Sequence, residues 1–141
     1  MAKFKVSLKA RLILFDRGRV LLLHQTKPNG GNFSLVGGTI ERQEFAKQSL
    51  VRESREEAGI ILQENDLSLV HVLHKRRKKE HRIVLYFKAY RYSGEVRNRE
   101  PHKFSDVNWH DLNDLPENLT DTVRRVLRAY RRGQLYSQQQ K

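Results

Sequence analysis

Residues 38–60 read GTIERQEFAKQSLVRESREEAGI, and this stretch decides the fold. From Glu44 to Ala58 it has no glycine or proline and is dominated by strong helix formers. Ala46, Leu50, Ser54 and Ala58 recur every four residues with Val51 beside them. That spacing predicts a helix whose mostly apolar stripe faces a core, and Gly59 supplies the stop. Next to the stripe, Glu53, Glu56 and Glu57 stand at i, i+3 and i+4 and share one side. Like charges so spaced cost an isolated helix about a few tenths of a kcal/mol per pair. Taken alone, such glutamates fit an ordinary solvated helix face. A divalent cation seated on them gives the arrangement a chemical reason. Hard oxygen ligands suit Mg²⁺, with Mn²⁺ as the alternative, and Mg²⁺ combines a few carboxylates with substrate phosphates. Gly37-Gly38 permits a tight turn before the helix and offers a carbonyl at close range. Arg52 has the planar fork that orients a carboxylate. Glu44 places a favourable charge near the helix start.

Outward from this helix the chain reads mainly as strands. Phe4, Val6, Leu8, Ala10, Leu12 and Leu14 alternate through residues 3–15, Asp16-Arg17-Gly18 signals a turn, and Val20–Leu23 reads as the returning strand of a hairpin. Residues 25–33 form a loop around Pro28, Asn29, Gly30 and Gly31, before a brief extended piece at Leu35-Val36. Downstream, residues 66–74 and 82–92 read as strands with Lys75–Lys79 at the hairpin tip between them. A polar loop (93–104), an extended piece (107–109) and a turn (111–116) follow. Thr120 or Asp121 then caps a last helix that buries Val123, Val126, Leu127 and Tyr130. The tail, about 134–141, is expected to be disordered. This order predicts an α/β fold, a mixed sheet covered by helices, as a single domain over residues 1–141.

Composition narrows the function classes. The 141 residues hold no cysteine, which excludes a disulfide framework, a thiolate zinc site and a cysteine nucleophile. No apolar run approaches the roughly 20 residues of a membrane helix, and Lys9, Arg11 and Asp16 break up the start, so no signal peptide is read there. The expectation is a cytoplasmic protein with no membrane partner, monomeric or homodimeric. Lysine and arginine exceed acidic residues by 12 charges, favouring polyanionic partners. Lys75-Arg76-Arg77-Lys78-Lys79 is the densest basic run, either a solvated hairpin tip or a polyphosphate contact, and Arg124, Arg125 and Arg128 add a second group. No GxxxxGK[ST] loop is present. His71 and His74, three apart on a strand, point to opposite faces and form no joint metal site.

The whole pattern is Gly38, five residues, Glu44, seven residues, Arg52-Glu53, then Glu56-Glu57-Ala58-Gly59-Ile60. It resembles the signature of the Nudix hydrolase family. Phe33-Ser34-Leu35-Val36-Gly37-Gly38 is similar to the family's lead-in. Asn98–Lys103, Trp109 and Asp114-Leu115-Pro116 are similar to the downstream segment of small MutT-like members acting on nucleoside triphosphates. The resemblance implies a Nudix fold, a mixed sheet sandwiched between helices with a loop-helix-loop at about 38–60. It also implies Mg²⁺-dependent hydrolysis of a diphosphate bond in a nucleoside diphosphate linked to another moiety. A nucleoside triphosphate cleaved to monophosphate and pyrophosphate heads the substrates. ADP-ribose, a nucleotide sugar, a dinucleoside polyphosphate or an RNA 5′ end are alternatives, as is a non-catalytic RNA- or nucleotide-binding protein. By the same resemblance Glu53, Glu56 and Glu57 are metal ligands, joined by the Gly37 or Gly38 carbonyl. Arg52 orients a carboxylate, Glu44 assists from behind, and Glu100, or else Glu95, is the distal general base. Phe33, Arg82, Lys103 and Trp109 are candidate substrate contacts, with Tyr86 a further candidate for the base pocket. Two positions depart from the family pattern. Ser54 replaces an aliphatic residue in the core-facing row, and Val36 replaces a proline, which is expected to loosen the loop presenting Gly37.

Overall fold

The structure, a computed structural model, describes residues 3–140. Met1 and Ala2 of the start and Lys141 of the tail lie outside the described residues. Among the described residues the order is β1 (Lys5–Ile13), β2 (Phe15–Asp16), β3 (Arg19–Gln25), β4 (Phe33–Ser34), β5 (Val36–Thr39), α1 (Ala46–Ala58), β6 (Leu67–Arg76), β7 (Glu80–Ala89), β8 (Phe104–Asp111), α2 (Asp121–Arg131) and β9 (Tyr136–Gln140). The strands form two sheets. One has the order β5-β1-β7-β6-β9, with β1 antiparallel to β5 and parallel to β7. The other is built on β3, which pairs antiparallel with β2, β4 and β8.

The hairpin read at residues 16–18 forms as expected. Arg17 and Gly18 both take positive φ, 53° and 78°, the two left-handed residues that match a tight turn to the strand twist. Helix α1 starts with the Phe45 N–H donating to Gln48 Oε1 at 2.7 Å. It ends where Gly59 turns left-handed and its N–H reaches the Ser54 and Arg55 carbonyls. Helix α2 is capped by Thr120, whose Oγ1 accepts from the Val123 N–H at 3.2 Å.

Two apolar clusters lie on either side of the β-structure. Leu50 and Ala58 of α1 close one over Ala10, Leu12, Leu21 and Phe87. Val123, Val126 and Leu127 of α2 close the other over Ile13, Leu22, Val84 and Tyr86. The β-structure is thus held between two helices, as the sequence implied. Ser54 is fully buried in the α1 contact, and among the described residues its hydroxyl has no hydrogen-bond partner, which weakens that contact without touching a charge.

Three readings change. Tyr136–Gln140, expected to be disordered, forms β9 and pairs in parallel with Val72–Arg76, because its backbone finds an open sheet edge that local composition does not reveal. Lys75 is not at a hairpin tip: it lies within β6 and its residue is only 8% exposed, so the tip is residues 77–79. Val36 does not loosen a loop, since it is buried in β5 opposite Leu12. No helix among the described residues is long and apolar enough to cross a membrane.

Candidate active site

The site forms where β5 runs past the C-terminal half of α1. Gly37 has a φ of +137°, and a side chain there would strike the Ala10 carbonyl oxygen and approach Arg11 Cα to 2.9 Å. Only glycine fits so close to β1. Its N–H donates to Glu57 Oε1 at 2.9 Å, and its carbonyl accepts from Arg11 Nη1 at 3.0 Å. The next residue touches the second carboxylate, for a Cβ on Gly38 would lie 3.1 Å from Glu53 Oε2. The two glycines therefore bring the β5 backbone against Glu53 and Glu57, and Gly38 is the one that adjoins Glu53.

Arg52 organises the remaining acids. Its Nε donates to Glu44 Oε2 at 2.6 Å and its Nη2 to Glu44 Oε1 at 3.0 Å, a two-pronged grip. Nη1 donates to Glu53 Oε1 at 2.7 Å and to Glu56 Oε2 at 3.1 Å. The bonds from Arg52 hold the Glu44 carboxyl below its ordinary range, and those bonds keep the guanidinium charged. Glu53 and Glu56 are thus oriented by one guanidinium, with Glu53 Oε2 and Glu56 Oε1 left to face elsewhere.

Glu57 is different. It is 5% exposed, and burial pushes its carboxyl up to about 8, with nearby Glu53 and Glu100 adding to the rise and the Gly37 N–H and Arg11 opposing it. A buried carboxyl sharing space with two others is favourably ionised only beside added positive charge. This is the observation by which the donor set fits a divalent cation: hard carboxylate oxygens, one of them buried. Among the described residues no three acidic or histidine side chains already converge on one point, and Arg52 holds an oxygen of both Glu53 and Glu56.

The segment that carries Glu100 is held by backbone pairing. The Arg97 N–H donates to the Ala58 carbonyl at 2.9 Å and the Arg99 N–H to the Glu57 carbonyl at 3.1 Å. This fastens the 97–99 segment along the end of α1. Asn98 then accepts from the Glu100 N–H at 3.1 Å and donates to the Phe104 carbonyl at 2.7 Å, bracing the turn that carries Glu100. Lys103 Nζ stands 3.7 Å from Glu100 Oε2 and, with Glu57, lines a cavity of about 210 Å³. Glu95 is exposed on the far side of Gly59, near Arg97 and Arg99.

That cavity shares Arg11, Gln25 and Ser34 with a larger one of about 570 Å³. Lys9, Arg11, Lys75 and Arg82 bring four cationic side chains to the larger cavity, and Asn118 stands at its rim. Arg82 Nη2 lies 3.4 Å from Glu80, while its buried Nε has no hydrogen-bond partner among the described residues. Burial and repulsion from Arg11 and Arg82 pull the Lys9 ammonium down. Tyr86 is buried in the same wall, its hydroxyl pushed up to about 12 by burial.

Two aromatic candidates lie elsewhere. Phe33 stacks on His24 with ring centroids 4.0 Å apart and meets His110 edge-on at 5.2 Å. Trp109 lies under the Arg19 guanidinium at 5.5 Å and beside Tyr92 at 6.4 Å, on the opposite face of β8 from His110. Neither lines the two cavities described. Sequence reasoning missed Lys9, Arg11, Gln25 and Ser34. The alternation of Lys9 and Arg11 with buried Ala10 and Leu12 marks one face of β1 as charged, but does not say that this face lines a cavity.

Comparison with known proteins agrees with this architecture. The NUDIX domain family matches residues 7–130. An ADP-ribose pyrophosphatase of Methanocaldococcus jannaschii is 29% identical over 117 residues, 83% of this chain and 68% of that protein. The NAD-capped RNA hydrolase NudC of Pseudomonas aeruginosa is 31% identical over 106 residues, covering 74% of this chain but only 36% of that longer protein. Among solved structures, a MutT NUDIX hydrolase from Burkholderia pseudomallei superimposes with a TM-score of 0.78 at 29% identity, covering 88% of this chain and 97% of that one. A MutT protein from Methanosarcina mazei gives the same TM-score at 19% identity, a likeness of fold.

Proposed function

This chain belongs to the Nudix family and is a Nudix hydrolase, and on that premise we propose that it cleaves a nucleoside triphosphate to monophosphate and pyrophosphate with Mg²⁺, or Mn²⁺, in the cytoplasm. The whole of residues 1–141 is taken as one domain carrying this activity. The observation that supports the reading best is that the two cavities adjoin, sharing Arg11, Gln25 and Ser34: four cations line one, and the buried carboxyl of Glu57 lines the other. A polyphosphate laid along Lys9, Arg11, Lys75 and Arg82 presents its anhydride bond to the glutamates.

Glu53, Glu56 and Glu57, with Gly38, are proposed to hold the metal, and Glu44 supports them through Arg52. Bound there, a divalent ion neutralises phosphate charge and lowers the pKa of a bound water. The protein's own contribution is position and electrostatics. Arg52 fixes the carboxylates, and Arg82 and Lys103 hold phosphate oxygens. Glu100, on the braced loop and close enough for its charge to act on Glu57, accepts the proton of the attacking water on its carboxylate. Phe33 and Trp109, engaged in packing, are not assigned to substrate.

The names of its relatives make ADP-ribose and a capped RNA 5′ end the competing substrates. The test is a panel of nucleoside triphosphates, ADP-ribose, a nucleotide sugar, a dinucleoside polyphosphate and NAD-capped RNA, incubated with Mg²⁺ and analysed for products. Monophosphate and pyrophosphate from a triphosphate, abolished by chelation and in a folded Glu57→Gln variant, support the proposal. Preferred turnover of ADP-ribose or capped RNA replaces the substrate. Nucleotide or RNA binding without turnover on any member replaces the enzyme by a binding protein.

A further inference from the structure

Helix α2 and the residue that follows it carry five arginines, Arg124, Arg125, Arg128, Arg131 and Arg132, against one acid, Asp121. The hydrolase site uses none of them. Arg125 pairs with Asp121 at 3.3 Å, and Arg124 donates to the Pro116 carbonyl at 2.8 Å, which ties the helix to the 112–120 loop. Among the described residues no carboxylate pairs with Arg128, Arg131 or Arg132, and all three are exposed. Together with Arg124 they rim a groove of about 400 Å³ whose floor is Leu112, Leu115 and Leu127.

We propose that this arginine-rimmed groove on α2 is a binding surface for the phosphodiester backbone of a single-stranded nucleic acid, separate from the nucleotide cavity. Charge complementarity argues for a polyanion, because three neighbouring guanidinium groups with no carboxylate between them repel one another until an anion arrives. Their spacing argues for an extended one. Arg124, Arg128 and Arg131 are four and three residues apart, so they follow one another on one side of the helix about one turn at a time. Guanidinium groups fork onto phosphate oxygens and stack on bases, which lysines do not. The floor argues against a lipid surface: Leu127 is buried, Leu112 and Leu115 are half-buried, and the exposed Leu135, three residues past Arg132, is not part of the groove lining.

The experiment measures binding of the full chain to a labelled single-stranded RNA carrying a 5′-hydroxyl, which has no terminal phosphate for the cavity, across a salt series. Removing one guanidinium that neutralises a phosphate lowers the slope of log affinity against log salt by about 0.7 and weakens binding roughly fivefold near 0.1 M salt. The variant R128Q/R131Q/R132Q is expected to bind roughly a hundredfold more weakly, with a slope smaller by about 2. Its hydrolysis of small nucleotides should be unchanged, which also reports that it is folded. The triple lysine variant, with its charge intact, is expected to keep most of the slope. Unchanged RNA affinity in the glutamine variant overturns the proposal. So does an equal weakening on removing Lys9 and Arg82, which would move the RNA into the cavity, or tighter binding to phosphatidylserine vesicles or an acidic peptide than to RNA. Failure of the hydrolase reading alone would leave the RNA result standing.

Discussion

Replacing Arg52 by glutamine removes the group on which four acids depend. Arg52 makes a two-pronged contact to Glu44 at 2.6 and 3.0 Å, a bond to Glu53 at 2.7 Å and a longer one to Glu56 at 3.1 Å, with Glu41 a further 3.6 Å away. Hydrogen bonds between charged groups are worth about 1.5–3 kcal/mol each when sheltered. Glu56 is half exposed and counts for little. The grip on Glu44 and the bond to Glu53 are sheltered, so R52Q is expected to destabilise the metal-free protein by about 2–4 kcal/mol. For a chain of this length that lowers Tm by roughly 10 °C. The sign of the metal effect is the sharper test. Without the guanidinium, Glu53, Glu56 and Glu57 repel, and a divalent cation relieves that repulsion. Mg²⁺ should therefore restore more stability to R52Q than it adds to the parent, while turnover stays low because the carboxylates are no longer oriented. R52K should fall between, since an ammonium keeps the charge and loses the fork. Urea unfolding with EDTA and with MgCl₂, beside initial rates, measures all of this. A destabilisation below about 0.5 kcal/mol in EDTA, or a Mg²⁺ increment no larger than that of the parent, refutes the reasoning.

Other perturbations follow from single contacts. Glu57 is pushed up to about 8 from 4.5, so between those values the metal-free fold holds a proton that the unfolded chain has released. The metal-free protein should lose stability as pH rises through that window. Mg²⁺ affinity should rise by up to about tenfold per pH unit over it, because the ion must displace the proton; titrating Mg²⁺ binding by calorimetry at several pH values checks both the direction and the range. Gly37→Ala drives a methyl into the Ala10 carbonyl at a left-handed φ and should cost more than about 4 kcal/mol or abolish folding, read by denaturant unfolding. Arg82→Gln should raise KM for a triphosphate roughly 10- to 100-fold with kcat within a few-fold, the signature of a contact made equally in ground and transition states. A fall in kcat alone would place Arg82 at the reacting bond.

The local order of the chain was largely legible because it depends on neighbours in sequence. The spacing of Ala46, Leu50, Ser54 and Ala58, the stop at Gly59 and the cap at Thr120 all act within one or two helical turns. The glutamate ridge was legible for the same reason: i, i+3 and i+4 is a statement about one helix. What the tertiary structure decided lies between elements. Whether Lys9, Arg11 and Lys75 point to open water or into a shared cavity depends on which sheet face meets α2 and the 118–123 loop, and a strand pattern does not carry that. Lys75 looked like part of a solvated basic run until the register of β6 turned it inward. The loop that carries Glu100 lies along the end of α1 because two backbone bonds clamp the 97–99 segment there. The tail became a strand only because β6 offers it an unpaired edge. Sequence alone determined the helix, its acids and the glycines that must lie beside them, since local sterics and periodicity suffice for those. The cationic cavity, the placement of the loop carrying Glu100 and the edge strand were decided by long-range packing and backbone pairing, whose energies belong to pairs of segments and are written in neither one.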